Sequence, residues 1–171
     1  NLKTSYYDDI HFALLEDFED LNIALDTTSN NTALWGKSSV SDGEGFVFEG
    51  FHSGMATLDT AHRKMQIVTK ENFEDIPQQG HPVFVELNFK TDVMVVFSVN
   101  AYTNGIAKTT DLLYLNPTTA WKKIYINLTP TLSYATEAES FKFILSAKYS
   151  GPDNGNAHVW IDNYKILYRD N

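Results

Sequence analysis

The chain of 171 residues has no cysteine, which excludes a disulfide framework, a thiolate zinc site and a cysteine nucleophile. Basic charge is scarce: 13 Lys and Arg stand against 22 Asp and Glu, a net charge of −9. The deficit is concentrated at the start, where Asp8, Asp9, Glu16, Asp17, Glu19, Asp20 and Asp26 face Lys3 alone. With no basic patch to neutralise phosphates, nucleic-acid binding is not expected, and the acidic opening argues against docking on anionic lipid. No apolar run is long enough to span a bilayer, and no signal-peptide pattern is present. The chain starts at Asn1 rather than Met, which fits an expected extracytoplasmic product whose export or anchoring segment has been removed. Helical periodicity is also missing. Residues 71–76 and 136–139 could each form one helical turn at most.

What is present is aromatic and alternating. Eleven Phe, nine Tyr and three Trp sit in a chain that is 43% hydrophobic, enough for one domain with a substantial core. In residues 83–90 the odd positions are apolar and the even ones mostly polar, the period of a half-buried strand. Residues 93–102 continue the pattern after Thr91-Asp92, and the two runs read as a hairpin. Residues 122–128 and 140–149 repeat the scheme, the latter with Lys142, Ser146 and Lys148 outward. Shorter strand candidates are residues 12–18, 45–51, 55–59, 64–69 and 112–115. Turn chemistry at Ser41-Asp42-Gly43, Asn104-Gly105 and Gly151-Pro152-Asp153-Asn154-Gly155 separates them. Nine or ten strands so arranged predict an all-β antiparallel β-sandwich or jelly roll. Residues 11–171 are expected to form this single domain after a flexible lead-in over 1–10. Phe89, Phe97, Phe141, Phe143 and Leu145 are expected deep in its core.

Chemistry-bearing positions are few. The final strand places Asp162 in the apolar run Val159-Trp160-Ile161-Asp162-Asn163-Tyr164, and a buried carboxylate needs a compensating partner. Trp35 follows a long polar stretch rich in Asn, Thr and Ser, a setting that suits stacking on a sugar ring; folding back over a sandwich edge is the alternative. A second candidate platform is the polar face of the central strands. It comprises Glu86, Asn88, Lys90, Ser98, Asn100, Tyr102, Tyr125 and Asn127, against the alternative of a solvated sheet face with no ligand. Trp121 and Trp160 read as packing residues. The sequence lacks a Gly-x-Ser-x-Gly elbow, a His-Glu-x-x-His helix and a phosphate-binding Gly loop. The five His are scattered. Glu16 and Glu19 alternate to opposite sides of a strand, poor geometry for a glycosidase pair, so no enzyme is expected.

Four pieces carry a resemblance: Leu15-Glu16-Asp17-Phe18-Glu19-Asp20, Gly50-Phe51-His52-Ser53-Gly54, the run from Asn116 through Trp121 to Leu128, and Ile161-Asp162-Asn163-Tyr164-Lys165-Ile166. In this order they resemble the galactose-binding-domain-like jelly rolls, the fold of many carbohydrate-binding modules and of uncharacterised surface lipoproteins from Bacteroidetes-type bacteria. The resemblance implies a non-catalytic, extracytoplasmic module, on the cell surface or in the periplasm, that binds a glycan or serves a surface glycan-handling system. The alternative is a structural or protein-interaction domain of a surface lipoprotein, with a surface protein as partner and no sugar affinity. In modules of this shape the opening Glu and closing Asp often help hold a structural calcium ion, and Glu19 and Asp162 match those positions. The residues alone leave open a solvated Glu19 and an Asp162 that accepts backbone N–H groups. Sugar-binding candidates are Trp35, Asn88, Asn100, Tyr102 and Tyr125.

Overall fold

The computed structural model describes residues 10–169. Eleven strands and one short helix follow in the order β1 (Ile10–Glu16), β2 (Leu25–Thr27), β3 (Leu34–Ser39), β4 (His52–Leu58), β5 (Lys64–Thr69), β6 (Val83–Thr91), β7 (Val95–Thr103), β8 (Ile106–Leu115), β9 (Lys122–Asn127), α1 (Thr129–Tyr134), β10 (Ser140–Lys148) and β11 (Ala157–Arg169). They build two antiparallel sheets, one in the order β3-β4-β11-β6-β9 with β1 also on β11, the other β2-β5-β10-β7-β8. The expected all-β sandwich is what forms. The lead-in expected over 1–10 lies outside the described residues, except Ile10, which opens β1.

The period-2 alternation decides what lies between the sheets. Val83, Val85, Leu87 and Phe89 of β6 face inward, as do Val95, Phe97 and Val99 of β7 and Phe141, Phe143 and Leu145 of β10; all are buried. The five core residues expected from the sequence are therefore in place. Phe143 is the hinge of the aromatic packing, with ring centroids 5.6 Å from Phe73 and 6.2 Å from Phe97. Truncating such a ring costs about 3–5 kcal/mol.

Several local expectations are corrected. Residues 83–90 and 93–102 do not form a hairpin. β6 pairs with β11 and β9, β7 with β10 and β8, so Thr91-Asp92 carries the chain from one sheet to the other. That crossing is pinned to β11: the Asp92 N–H donates to the His158 carbonyl at 2.9 Å, and the His158 N–H donates to Asp92 Oδ2 at 2.8 Å. Among consecutive strands only β3–β4 and β7–β8 are paired. The second of these turns on Asn104-Gly105 with φ of 51° and 74°, the left-handed pair that a tight two-residue hairpin requires. The single helix is α1, not residues 71–76 or 136–139. It is nucleated by Pro130 in its first turn and holds one buried side chain, Leu132, too little to show as a period. Residues 45–51 are not a strand: the N–H groups of Phe48, Glu49 and Phe51 go to side-chain carboxylates and that of Phe46 to the Gly43 carbonyl. Residues 112–115 are the end of the ten-residue β8.

Candidate functional site

The two outer faces of the sandwich differ. Over the six-stranded sheet, residues 40–51, which join β3 to β4, cross the outward side of β11 and β6. Phe46 meets Trp160 edge-on at 5.3 Å, and Phe48 lies 5.7 Å from Trp121. The Trp121 indole N–H donates to the Gly45 carbonyl at 2.9 Å, and the Lys90 ammonium sits 4.7 Å from the Trp160 ring centre. This cover explains why β11 reads apolar on both faces. Trp160 is buried as expected, but beneath the crossing segment rather than between the sheets.

Two carboxylates fix the crossing segment. At Asp162 the pairing of β11 with β6 slips, and Asn163 adopts φ of 47°; the kink turns the Asp162 side chain toward the segment. Its Oδ2 accepts the N–H groups of Phe48 (3.3 Å) and Glu49 (3.1 Å), and its Oδ1 that of Asn163 (2.8 Å). Glu19 Oε1 accepts from Phe51 (2.7 Å) and His52 (2.9 Å), and its Oε2 lies 3.2 Å from His52 Nδ1. Burial pushes the Asp162 carboxyl up to about 6; the N–H groups of Glu49, Asn163 and Phe48 oppose this, and the Glu19 charge adds to it. Burial also acts against the Glu19 charge, but hydrogen bonds from His52 and Phe51 outweigh it and hold that carboxyl below its ordinary value. Glu16 anchors the entry to this region, accepting the Phe18 N–H at 2.6 Å and that of Ala24. Phe18, at φ of 62°, is thereby driven fully into the core.

The first and last strands thus meet, as the carboxylates in each suggest: Leu14 pairs with Ile166 and Glu16 with Tyr164. Calcium takes six to eight oxygens. Glu19 and Asp162 already accept five backbone N–H groups between them, and among the described residues no three His, Asp or Glu side chains converge on one point. The two side chains supply a clamp for amides. They do not by themselves make up a calcium shell.

The outer face of the five-stranded sheet is open. Outward positions of its strands floor a cavity of about 400 Å³ lined by Gln66, Ser98, Asn100, Tyr102, Thr109 and Lys142 among others. A second cavity of about 630 Å³ shares Asn30, Gln66 and Ser146 with it and continues past Lys64, Met94 and Lys148. Along β10 the two together run from Lys142 to Lys148, about 20 Å at strand rise, and reach Ser150 just beyond it. The acceptors of this floor are mostly used internally. Thr109 donates to Asn100 Oδ1 (2.6 Å), Thr28 and Asn30 to Gln66 Oε1 (2.6 and 3.3 Å), and Ser98 to Asp111 Oδ1 (2.7 Å). Among the described residues, the Asn100 and Gln66 amide NH₂ groups and the Tyr102 hydroxyl have no partner.

The sequence-level platform is therefore split. Asn100 and Tyr102 lie in the open groove. Asn88 and Tyr125 belong to the other sheet, on the opposite outer face of the sandwich. Asn88 is buried beside Asp162, its Nδ2 without a partner. Tyr125 is exposed on β9, with the Lys123 ammonium 5.4 Å from its ring. Trp35 is on β3, half-buried and edge-on to Phe18 at 6.2 Å, and the absent side chain of Gly54 makes room for it. Its contacts are those of packing. Gln66, Asn30 and Thr109 were not singled out from the sequence. The outward position of Gln66 could be read from alternation, but not which strands would lie side by side, and Asn30 lies in the turn between β2 and β3, where alternation says nothing.

No protein-family model matches the chain, and no curated protein does so. Solved structures do. The CBM22-1-CBM22-2 tandem domain of Paenibacillus barcinonensis Xyn10C is similar over 94% of this chain and 46% of its own, at 12% identity and a TM-score of 0.64. The family 11 carbohydrate-binding module of Clostridium thermocellum Lic26A-Cel5E is similar over 94% and 95%, at 14% and 0.54. The enzymatically active domain of bacteriophage CBA120 tailspike protein 4 is similar over 83% of this chain and only 18% of its own, at 10% and 0.59. The chain spans less than half of the first and last of these. At such identities the likeness establishes the fold: a β-sandwich of the kind found in carbohydrate-binding modules, in keeping with a galactose-binding-like jelly roll.

Proposed function

We propose that this chain is a non-catalytic carbohydrate-binding module whose ligand lies along the open face of the five-stranded sheet. The observation that carries the reading is the groove: an extended, polar-floored depression with Tyr102, Asn100 and Gln66 presenting an aromatic ring and amide N–H donors. A sugar needs such a pairing, because its C–H face stacks on a ring while its hydroxyls exchange hydrogen bonds with amides. The similarity to two carbohydrate-binding modules supports it. By the same proposal the module works outside the cytoplasm, as an accessory to a surface glycan-handling system. No helix among the described residues is long and apolar enough to cross a membrane. The test is calorimetric titration of the chain against a polysaccharide panel, with Asn100→Ala and Tyr102→Ala beside the wild type. At least one polysaccharide should bind, and both variants should weaken it about tenfold or more. Unchanged affinity in both would move the site elsewhere.

A further inference from the structure

The groove has a charge anomaly. Lys64 of β5 and Lys148 of β10 are direct cross-strand partners, and both line the larger cavity. Like charges placed opposite one another across strands are destabilising. Neither ammonium has an ion-pair or hydrogen-bond partner among the described residues; the ion pairs lie elsewhere, at Glu19, Asp59, Glu86, Asp92 and Asp153. In a chain with 22 acidic residues, a counter-charge for this pair was readily available, and among the described residues none pairs with it. Lys142, further along the same face, also lines the groove, its ammonium on the Lys70 carbonyl at 3.0 Å. The one acidic side chain lining the smaller cavity, Asp111, is engaged by Ser98 at 2.7 Å and by the Tyr114 hydroxyl at 3.4 Å. With most of its acceptors engaged and the Lys64, Lys148, Gln66 and Asn100 donors without partners among the described residues, the groove offers more hydrogens than lone pairs.

We infer that the groove takes an acidic glycan, its anionic group seated between the Lys64 and Lys148 ammoniums and its sugar rings running past Gln66 and Ser146 toward Asn100 and Tyr102. This rests on the carbohydrate reading above and names the ligand class within it. A carboxylate or a sulfate ester brings two or three acceptor oxygens to two cations and the neighbouring amide donors, giving charge-assisted hydrogen bonds. The pair then acts as a selectivity device. Bound anion relieves the lysine repulsion, whereas a neutral glycan leaves it in place. The otherwise acidic protein would repel polyanions, so the groove is where they are admitted.

The experiment titrates the whole chain with polygalacturonate, dextran sulfate, neutral xylan and neutral β-glucan, at low salt and at about 0.5 M NaCl, where exposed charges are strongly screened. Wild type is compared with Lys64→Ala/Lys148→Ala; both side chains are exposed, so the variant should keep the wild-type melting temperature or exceed it. An acidic polymer should bind at least about tenfold tighter than either neutral one, and lose about tenfold or more in the double variant and in high salt. Polygalacturonate and dextran sulfate separate carboxylate from sulfate recognition. A neutral polymer bound more tightly, or acidic binding indifferent to the double variant, overturns the inference and leaves carbohydrate binding standing. Failure to bind any polysaccharide overturns both.

Discussion

Asp162 and Glu19 hold one short stretch of backbone from two sides: Asp162 accepts the N–H groups of Phe48 and Glu49, and Glu19 those of Phe51 and His52. One carboxylate comes from the last strand, the other from just after the first. The stretch they share is the cover of the six-stranded sheet. Its conformation is therefore set by side chains rather than by a strand ladder.

Asp162→Ala should destabilise the protein by about 2–3 kcal/mol, because three backbone donors lose an ionisable, buried acceptor at once. Urea denaturation gives the value. With the carboxylates already serving amides, EDTA is expected to leave the melting temperature of the wild type unchanged. A fall in EDTA that calcium reverses would place a cation between Glu19 and Asp162.

The same residue predicts a pH dependence. The Asp162 carboxyl is raised in the folded state from 3.8 to about 6, so between those values the native protein binds more protons than the unfolded chain. Its contribution to stability is then largest below about pH 4, falls as pH rises through about 6, and is flat beyond. Melting temperatures of wild type and Asp162→Asn should be compared across this window. The wild type should lose ground to the variant, which cannot titrate, as pH rises. A constant offset would show that Asp162 titrates normally.

Trp35→Ala should separate packing from binding. Its ring braces Phe18 and overlies Gly54, so the substitution is expected to cost about 2–4 kcal/mol. Glycan affinity, measured well below the variant's melting temperature, should not change, in contrast to Tyr102→Ala.

Tyr164→Phe should stabilise. The side chain is buried to 1% exposure and its hydroxyl makes no hydrogen bond among the described residues; burial accordingly pushes its pKa far above the usual tyrosine value. Removing an unsatisfied buried hydroxyl while keeping the ring should gain about 1 kcal/mol, read as a higher urea midpoint with an unchanged slope.

Period-2 alternation made the core readable in the sequence, since Phe97 or Phe143 faces inward whatever strand lies beside it. Sheet membership was not readable. β6 and β7 carry the same alternation and a three-residue link, yet the chain crosses between sheets after Thr91, the Asp92 N–H and carboxylate taken by β11 rather than by its neighbour in sequence. That one crossing puts Asn88 and Asn100 on opposite outer faces and divides the apparent platform. Of the two readings that the sequence left open for Trp35, its contact with Phe18 is the packing one, and the polar residues before it hide the start of β3. The Asp162–Glu19 proximity was legible, because a carboxylate inside an apolar strand demands compensation and the opening segment was rich in donors and acids. The Lys64–Lys148 pair was not, since it exists only once β5 is known to lie beside β10.

β11 has a consequence for how the domain comes into being. It lies between β4 and β1 on one side and β6 on the other, so the last described strand is a central member of its sheet. In the pairing of Ile10 with Arg169, the chain must close on itself across nearly its whole described length. Contacts this distant in sequence place a sandwich among slow folders, on the millisecond-to-second scale. During synthesis β1 emerges with no partner and β4 with β3 on one edge only, the state in which strands join the wrong neighbour. The six-stranded sheet therefore cannot close piecemeal: until residues 157–169 arrive, the edges of β1, β4 and β6 that β11 will cover stay open to pairing with another chain.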